Sequence, residues 1–231
     1  HEGSGELADA ALKGLKGELH DEKNGGWYAG VTPEGDIVPN KQCYAHAFVI
    51  LAASSALTAG RPGAKELLEE ALAVYDRHFW NEEEGLACDT WNTEFTVLDD
   101  YRGLNANMHT VEAFLAAGDV TGDKKYHIRA GRIIDHVIQW AEDNSWRIPE
   151  HFTREWVADL DCNRDRPDDP FKPYGATPGH GIEWWRRERK TGKISSGSRE
   201  TLHNSNKRRL ERRWCTGNCI HDRLEWQTGG T

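Results

Sequence analysis

The sequence predicts an all-α protein of stacked helical hairpins. Three observations predict it. Apolar residues recur at helical spacing in five stretches, and Gly-rich turns bound those stretches. The stretches also repeat: Ala47-Phe-Val-Ile-Leu-Ala-Ala53 is similar to Ala113-Phe-Leu-Ala-Ala117. Each precedes a Gly-bounded turn, a second helix and a strand-like loop. Helical hairpins at a period of about sixty residues make an array that stacks or closes on itself.

The elements follow in order. Leu7 to Leu19 carries Leu7, Ala11, Leu12, Leu15 and Leu19 on one face, and Glu22-Lys-Asn-Gly-Gly26 stops that helix. Trp27-Tyr-Ala-Gly-Val31 reads as a short strand that turns at Pro33-Glu-Gly-Asp36. A second helix spans roughly Lys41 to Thr58, and a third runs from Ala64 to about Trp80 with Leu67, Leu68, Ala71, Leu72, Tyr75 and Phe79 as its stripe. Asn81 to Arg102 reads as loop and strand. A fourth helix covers about Leu104 to Ala117 and is ended by Gly118-Asp-Val-Thr-Gly122; a fifth covers about Lys124 to Glu142. Asn144 to Pro178 is long and irregular, a length that is uncommon outside functional loops. Gly179-His-Gly-Ile-Glu-Trp-Trp185 opens a further helix.

The fourth helix carries the chemistry. Its spacing puts Asn105, His109 and Glu112 on one face. An amide, an imidazole and a carboxylate in line on a packed helix each need a partner. A structural hydrogen-bond network would explain one such histidine. The His-x-x-Glu spacing returns at His180 and Glu183, which favours a site. His46, His109 and His180 stand at or near the first helix of successive units, so units that curve into a ring would bring those helix ends to one pocket.

Composition narrows the function classes. Ten Trp in 231 residues supply flat apolar faces with a polar N–H, suited to sugars as well as to ordinary packing. No apolar run is long enough to cross a membrane, and the N-terminus lacks a basic-then-apolar signal, so a cytoplasmic protein is expected. Cys43, Cys88, Cys162, Cys215 and Cys219 read as free thiols rather than a disulfide framework. The net charge of −9 hides a split. Residues 186–231 hold 12 Lys/Arg against 5 Asp/Glu, and residues 1–185 hold 17 against 33. The acidic body argues against nucleic acid as a partner.

The runs Gly25-Gly-Trp-Tyr-Ala29, Lys41-Gln-Cys-Tyr-Ala-His-Ala-Phe48, Asn105-Ala-Asn-Met-His-Thr-Val-Glu-Ala113, Trp146-Arg-Ile-Pro-Glu-His-Phe152, Asn163-Arg-Asp165 and Pro173-Tyr-Gly-Ala-Thr-Pro-Gly-His-Gly-Ile-Glu-Trp184 resemble the N-acylglucosamine 2-epimerase superfamily. The similarity is nearest its mannose and sulfoquinovose isomerase branch and covers residues 1 to about 185. It implies an (α/α)6 barrel of helical hairpins, here incomplete, with short strands in the loops. It also implies an isomerase or epimerase of free sugars, without metal or other cofactor, that moves a proton between C2 and C1 through an enediolate. By the resemblance His180 is a catalytic acid/base, Glu183 the carboxylate that orients it, and Tyr44, Asn105 and His109 sugar-binding residues. Imidazole suits the task because it takes and gives a proton near neutral pH.

The family pattern starts earlier, with a helix bearing a substrate-binding Arg, and ends later, with a second catalytic His that residues 186–231 do not supply. Nine residues of that tail are apolar. Shifted by one base, the codons of Asp222-Arg-Leu-Glu-Trp-Gln-Thr-Gly-Gly230 permit a Thr-Asp-Trp-Asn-Gly-Lys-Pro-Val run similar to the family's. The tail is therefore expected to be the same gene read out of frame, poorly packed and without a function of its own. The readings weighed beside a sugar isomerase are a catalytically inactive fragment of one, an N-acylglucosamine- or cellobiose-type 2-epimerase, a metal protein using the His-x-x-Glu pairs, and nucleic-acid binding by the tail. Sugar identity and oligomeric state stay open.

Overall fold

The computed structural model describes residues 3–169, 171–177 and 179–184. The basic tail at 186–231 therefore lies outside the described residues. The chain divides into two compact units, 1–175 and 176–231.

The first unit begins with α1 (Ser4–Lys16), then β1 (Gly30–Val31), β2 (Ile37–Val38), β3 (Lys41–Gln42), α2 (Cys43–Thr58) and α3 (Ala64–His78). There follow β4 (Trp80–Asn81), β5 (Leu86–Ala87), β6 (Thr90–Trp91), β7 (Arg102–Gly103), α4 (Leu104–Thr121), α5 (Lys124–Asp143) and β8 (His151–Phe152). The expected hairpins are α2–α3 and α4–α5. They lie side by side through α2 and α4, since α2 packs on α3 and on α4, and α4 packs on α5. The outer helices α3 and α5 are amphipathic, with Leu67, Leu68, Ala71, Leu72 and Tyr75 of α3 and Tyr126, Ala130, Ile133, Ile134 and Val137 of α5 buried. The inner helices bury residues almost all round, as helices flanked on several sides must.

Each inner helix is led in by a two-residue strand. Before α2, β3 pairs antiparallel with β6, matching Lys41 to Trp91 and Gln42 to Thr90. Before α4, β7 pairs antiparallel with β8, matching Arg102 to Phe152 and Gly103 to His151. These pairings pull later loops onto the N-terminal ends of both inner helices. A buried polar chain ties the three central helices together. The Thr110 hydroxyl donates to the Ala106 carbonyl, the Tyr75 hydroxyl contacts Thr110, and Cys43 Sγ lies 3.0 Å from the Tyr75 oxygen. Burial raises both the Cys43 thiol and the Tyr75 phenol. Both stay protonated and serve packing.

Several boundaries differ from the periodicity reading: α1 starts at Ser4, Lys41–Gln42 is strand before α2, and α3 ends at His78 with Trp80 in β4. The first helix ends at Lys16 rather than Leu19, because Gly17 leaves the helical region and its N–H turns back to the Gly14 carbonyl. Only Gly30–Val31 of the Trp27–Val31 stretch is strand. The fourth helix runs on through Gly118 to Thr121 and ends at Gly122, whose φ of 75° is open to glycine at little cost. Gly118 is spent on packing rather than on ending the helix: the His127 ring sits 2.7 Å from where a Cβ would be, so a bare backbone is what fits there. Among the described residues no helix is long and apolar enough to cross a membrane.

Candidate functional site

Burial along α2 and α4 separates packing faces from an open one. On α2 the exposed positions Tyr44, Phe48, Ala52 and Ser55 fall in one line. On α4 the half-buried positions Asn105, His109, Glu112 and Ala116 fall in another. The two lines meet at His109. Its ring centroid lies 5.0 Å from that of Tyr44, nearly perpendicular at 88°, and 4.7 Å from that of Phe48. Edge-to-face packing of this kind holds an imidazole in one orientation. Its Nδ1 lies 3.3 Å from Glu112 Oε2, one turn on. The face spacing expected for Asn105, His109 and Glu112 is thus what α4 shows, and Tyr44 joins it from α2.

Asn105 adds the second polar group. Its Oδ1 is buried without a hydrogen-bond partner. A buried acceptor left open costs roughly 1–3 kcal/mol, so a bound hydroxyl that donated to it would recover that loss. Aromatic walls, an imidazole and an open amide oxygen on one face suit a polar ring or an extended polyol.

His180 and Glu183 belong to the second unit. They lie three apart in the helical stretch 179–184, whose Gly181 N–H donates to the Thr177 carbonyl at 3.3 Å. Helical spacing of three puts both side chains on one side of that turn.

His46 has a different task. It is 1 % exposed, and burial pulls its imidazole down to about 3. The Trp27 N–H donates to Nε2 at 3.0 Å, and Nδ1 faces the Gln42 carbonyl at 2.8 Å. These contacts fix the tautomer with the proton on Nδ1. His46 is neutral and fully engaged, facing Trp27 and Phe79. The structure thus does not bring His46 to the open face with Tyr44 and His109; it clamps the Trp27 backbone instead.

Two residues that sequence reasoning passed over hold the site's frame. Asn107 is fully buried; its Oδ1 accepts the Ala87 N–H at 2.9 Å, and its amide donates to the carbonyls of Ala87 and Gly103 at 3.0 and 3.3 Å. Asn107 stands 61 residues after His46, and both side chains clamp the backbone of the loop before them. The repeat period was the signal that could have found it. Lys41 is the other. It is fully buried, donates to Asp21 Oδ2 at 2.8 Å and to the Gly25 carbonyl at 3.1 Å, and sits 4.3 Å from the Tyr28 ring centroid. Burial alone would raise the Asp21 carboxyl, but hydrogen bonds from Lys41 and Asn24 hold it well below the usual carboxylate range. Burial lowers the Lys41 ammonium. The pair locks the 21–26 turn.

No group of three or more His, Cys, Asp and Glu side chains among the described residues could hold a metal ion. A shallow groove of 510 Å³ lined by Asp100, Tyr101, Phe152, Thr153, Arg154, Glu155 and Asp159 includes none of Tyr44, Asn105 and His109.

Comparison with known proteins places this arrangement. A D-mannose isomerase of Thermobifida fusca is 46% identical over 186 residues, which is 80% of this chain and 46% of that protein. One from Pseudomonas cannabina pv. alisalensis is 45% identical over 185 residues, covering 80% of this chain and 44% of that one. The chain thus spans about half the length of the curated relatives it matches. The crystal structure of a D-mannose isomerase superposes with a TM-score of 0.75 at 33% identity, over 84% of this chain and 51% of the other. Cellobiose 2-epimerase from Spirochaeta thermophila gives 0.74 at 16% identity, over 94% and 54%, a likeness of fold alone. These neighbours put the helical hairpins in the (α/α)6 toroid class. The profile of the N-acylglucosamine 2-epimerase (GlcNAc 2-epimerase) family matches residues 1–199, and the chain belongs to that family.

Proposed function

We propose that the chain carries part of the active site of an aldose–ketose isomerase of the mannose–fructose type, with a free sugar as its small-molecule substrate. The observation that carries this reading is the face shared by Tyr44, Phe48, Asn105 and His109, with its open amide oxygen, in a chain about 45% identical to D-mannose isomerases.

The chemistry follows from the residue types. In an open-chain aldose the C2 proton is acidified by the C1 carbonyl. A base removes it, and the bonding pair becomes the C1–C2 double bond of an enediolate. The hydroxyl proton on O2 shifts to O1, and the removed proton returns to C1, giving the ketose with no net oxidation or reduction. His180 is the proposed base and acid, since an imidazole passes a proton both ways near neutral pH. Glu183 is its orienting carboxylate, favouring the charged form after proton abstraction. Asn105, His109 and Tyr44 are the proposed sugar-binding residues. The sugar's ring-like body lies against aromatic carbon while its hydroxyls meet the amide and the imidazole. A cytoplasmic setting is part of the same proposal. So is the division into a sugar-isomerase part at 1–185 and an out-of-frame tail at 186–231, which sequencing the coding DNA tests: absence of the Thr-Asp-Trp-Asn-Gly-Lys-Pro-Val run in the shifted frame ends it.

The test is incubation of the chain with mannose in D₂O, followed by NMR, beside His180→Ala. Fructose deuterated at C1, lost by at least about 100-fold in the variant, is the expected outcome for a proton-transfer group. Glucose deuterated at C2 would make the chain a 2-epimerase. A folded chain that exchanges nothing would leave it an inactive portion of such an enzyme.

A further inference from the structure

We propose that His151 is a positioning residue that ties the segment around Pro173 to the lead-in of α4, the helix of Asn105 and His109. The inference rests on the functional reading above and deepens it. His151 holds three elements at once. Its backbone pairs with Gly103 in β7–β8, immediately before α4, the helix of Asn105 and His109. Its Nε2 lies 2.8 Å from the Pro173 carbonyl, and its Nδ1 lies 2.7 Å from the Tyr101 hydroxyl. A carbonyl only accepts, so the ring proton sits on Nε2, and Nδ1 accepts from the Tyr101 O–H. Both nitrogens are spent, and the side chain is 5 % exposed. His151 is therefore no proton shuttle; it is a fastener.

What it fastens matters for the reaction. Tyr101 precedes β7, and the neighbouring Glu150 carbonyl accepts the Leu104 N–H, the first of α4. Pro173 stands seven residues before His180 in the chain. The segment around it is pinned at several further points. Asp169 accepts from the Phe171 and Lys172 N–H groups, the Asn163 amide donates to the Lys172 carbonyl, and the Tyr174 N–H donates to the Pro167 carbonyl. His151 links this segment back to the α4 lead-in by hydrogen bonds, beside the Lys172 ammonium that lies 3.6 Å from the Tyr101 ring centroid. A substrate-positioning group displaced by about 1 Å can cost roughly 100-fold in rate, so loosening the lead-in of α4, which carries Asn105 and His109, acts on turnover rather than on folding alone.

The experiment compares the full chain with His151→Leu, His151→Gln and Tyr101→Phe. Two readouts are taken: amide exchange by mass spectrometry over 171–177 with α2 as internal reference, and kcat and KM for mannose C2 exchange. His151→Leu is expected to speed exchange at 171–177 by about tenfold with α2 unchanged, and to lower kcat by about 100-fold with KM within about threefold. His151→Gln keeps an N–H for the Pro173 carbonyl and restores most of both. Tyr101→Phe, which removes one hydroxyl without changing shape, gives a smaller loss of the same pattern and stands in if His151→Leu fails to fold. Wild-type protection at 171–177 in His151→Leu, or a rise in KM with kcat unchanged, overturns the proposal. A wild-type chain with no C2 exchange overturns the functional reading instead, and amide exchange alone then decides the fastener.

Discussion

The lead-ins to α2 and α4 are two versions of one device. Lys41-Gln-Cys-Tyr-Ala-His-Ala-Phe48 and Arg102-Gly-Leu-Asn-Ala-Asn-Met-His109 align at an offset of 61. Both open on a buried cation, Lys41 or Arg102, in a two-residue strand. Both carry a buried clamp at the sixth position, His46 or Asn107, that holds the preceding loop and faces the carbonyl four residues back. They differ on the open face. The first shows Tyr44 and Phe48, the second Asn105 and His109. Scaffold positions repeat in role while open-face positions diverge in chemistry, and the divergent ones are those assigned to the sugar.

The cations are held differently, and that difference gives the largest expected effect. Lys41 faces a buried carboxylate, whereas Arg102 donates to the carbonyls of Asp99 and Tyr101. Asp21→Ala leaves a buried ammonium without its counter-charge and is expected to cost about 3–5 kcal/mol in urea unfolding. A cost below 1 kcal/mol would mean that water reaches Lys41 and that the first lead-in is not built on this pair.

The clamps come next. Asn107→Ala strands the N–H and the carbonyl of Ala87 in the interior, at roughly 3 kcal/mol together. His46→Ala strands the Trp27 N–H and opens a cavity, so a loss of similar size is expected. If one is harmless and the other severe, the two positions do not share a role.

The first clamp is also pH-sensitive, and the second is not. Burial lowers His46 from 6.5 to about 3. Between those values the unfolded chain binds a proton that the folded chain refuses, so stability falls as pH falls. The contribution is fully present above pH 6.5 and is lost toward pH 3. From pH 7 to pH 5 the loss amounts to about 2 kcal/mol. His46→Gln should flatten the urea midpoint over this range. Asp21, whose pKa lies below its usual 3.8, adds its own loss only at lower pH. An unchanged slope in His46→Gln would assign the acid sensitivity elsewhere, with His78, also lowered by burial, first in line.

Helix periodicity made α2 to α5 and the line Asn105–His109–Glu112 legible before any coordinates, because each helix shows its partners a stripe several residues long. The two-residue strands were legible only as strand-like stretches, Trp27–Val31 and Asn81–Arg102, without their bounds or pairings. A period of two cannot establish itself over two residues, and the pairings of Lys41 with Trp91 and Gly103 with His151 depend on where the loops return. Asn107 lay inside a run already singled out, between Asn105 and His109, yet nothing in its type told a clamp from a ligand. Its direction, two residues round the helix from both Asn105 and His109 and so on the side away from the open face, made the distinction. His46 misled for the same reason: a histidine at a helix start reads as chemistry until its two nitrogens are seen to be occupied.

The smallest expected change in stability is the one that separates scaffold from chemistry most cleanly. His109→Phe gives the second lead-in the residue that the first carries at Phe48. The new ring keeps aromatic contacts to Tyr44 and Phe48 but gives up the Glu112 contact, so urea stability should fall by no more than about 1 kcal/mol. Sugar affinity, measured by calorimetry with mannose, should fall about tenfold, since a single hydrogen bond between neutral groups is worth roughly 1 kcal/mol and its partner hydroxyl loses water on binding. Affinity that survives the change would mean the aromatic wall, shared by both lead-ins, does the recognition. Affinity that falls while stability holds would mean that one imidazole in place of one phenyl ring turns a repeat of the scaffold into a sugar contact.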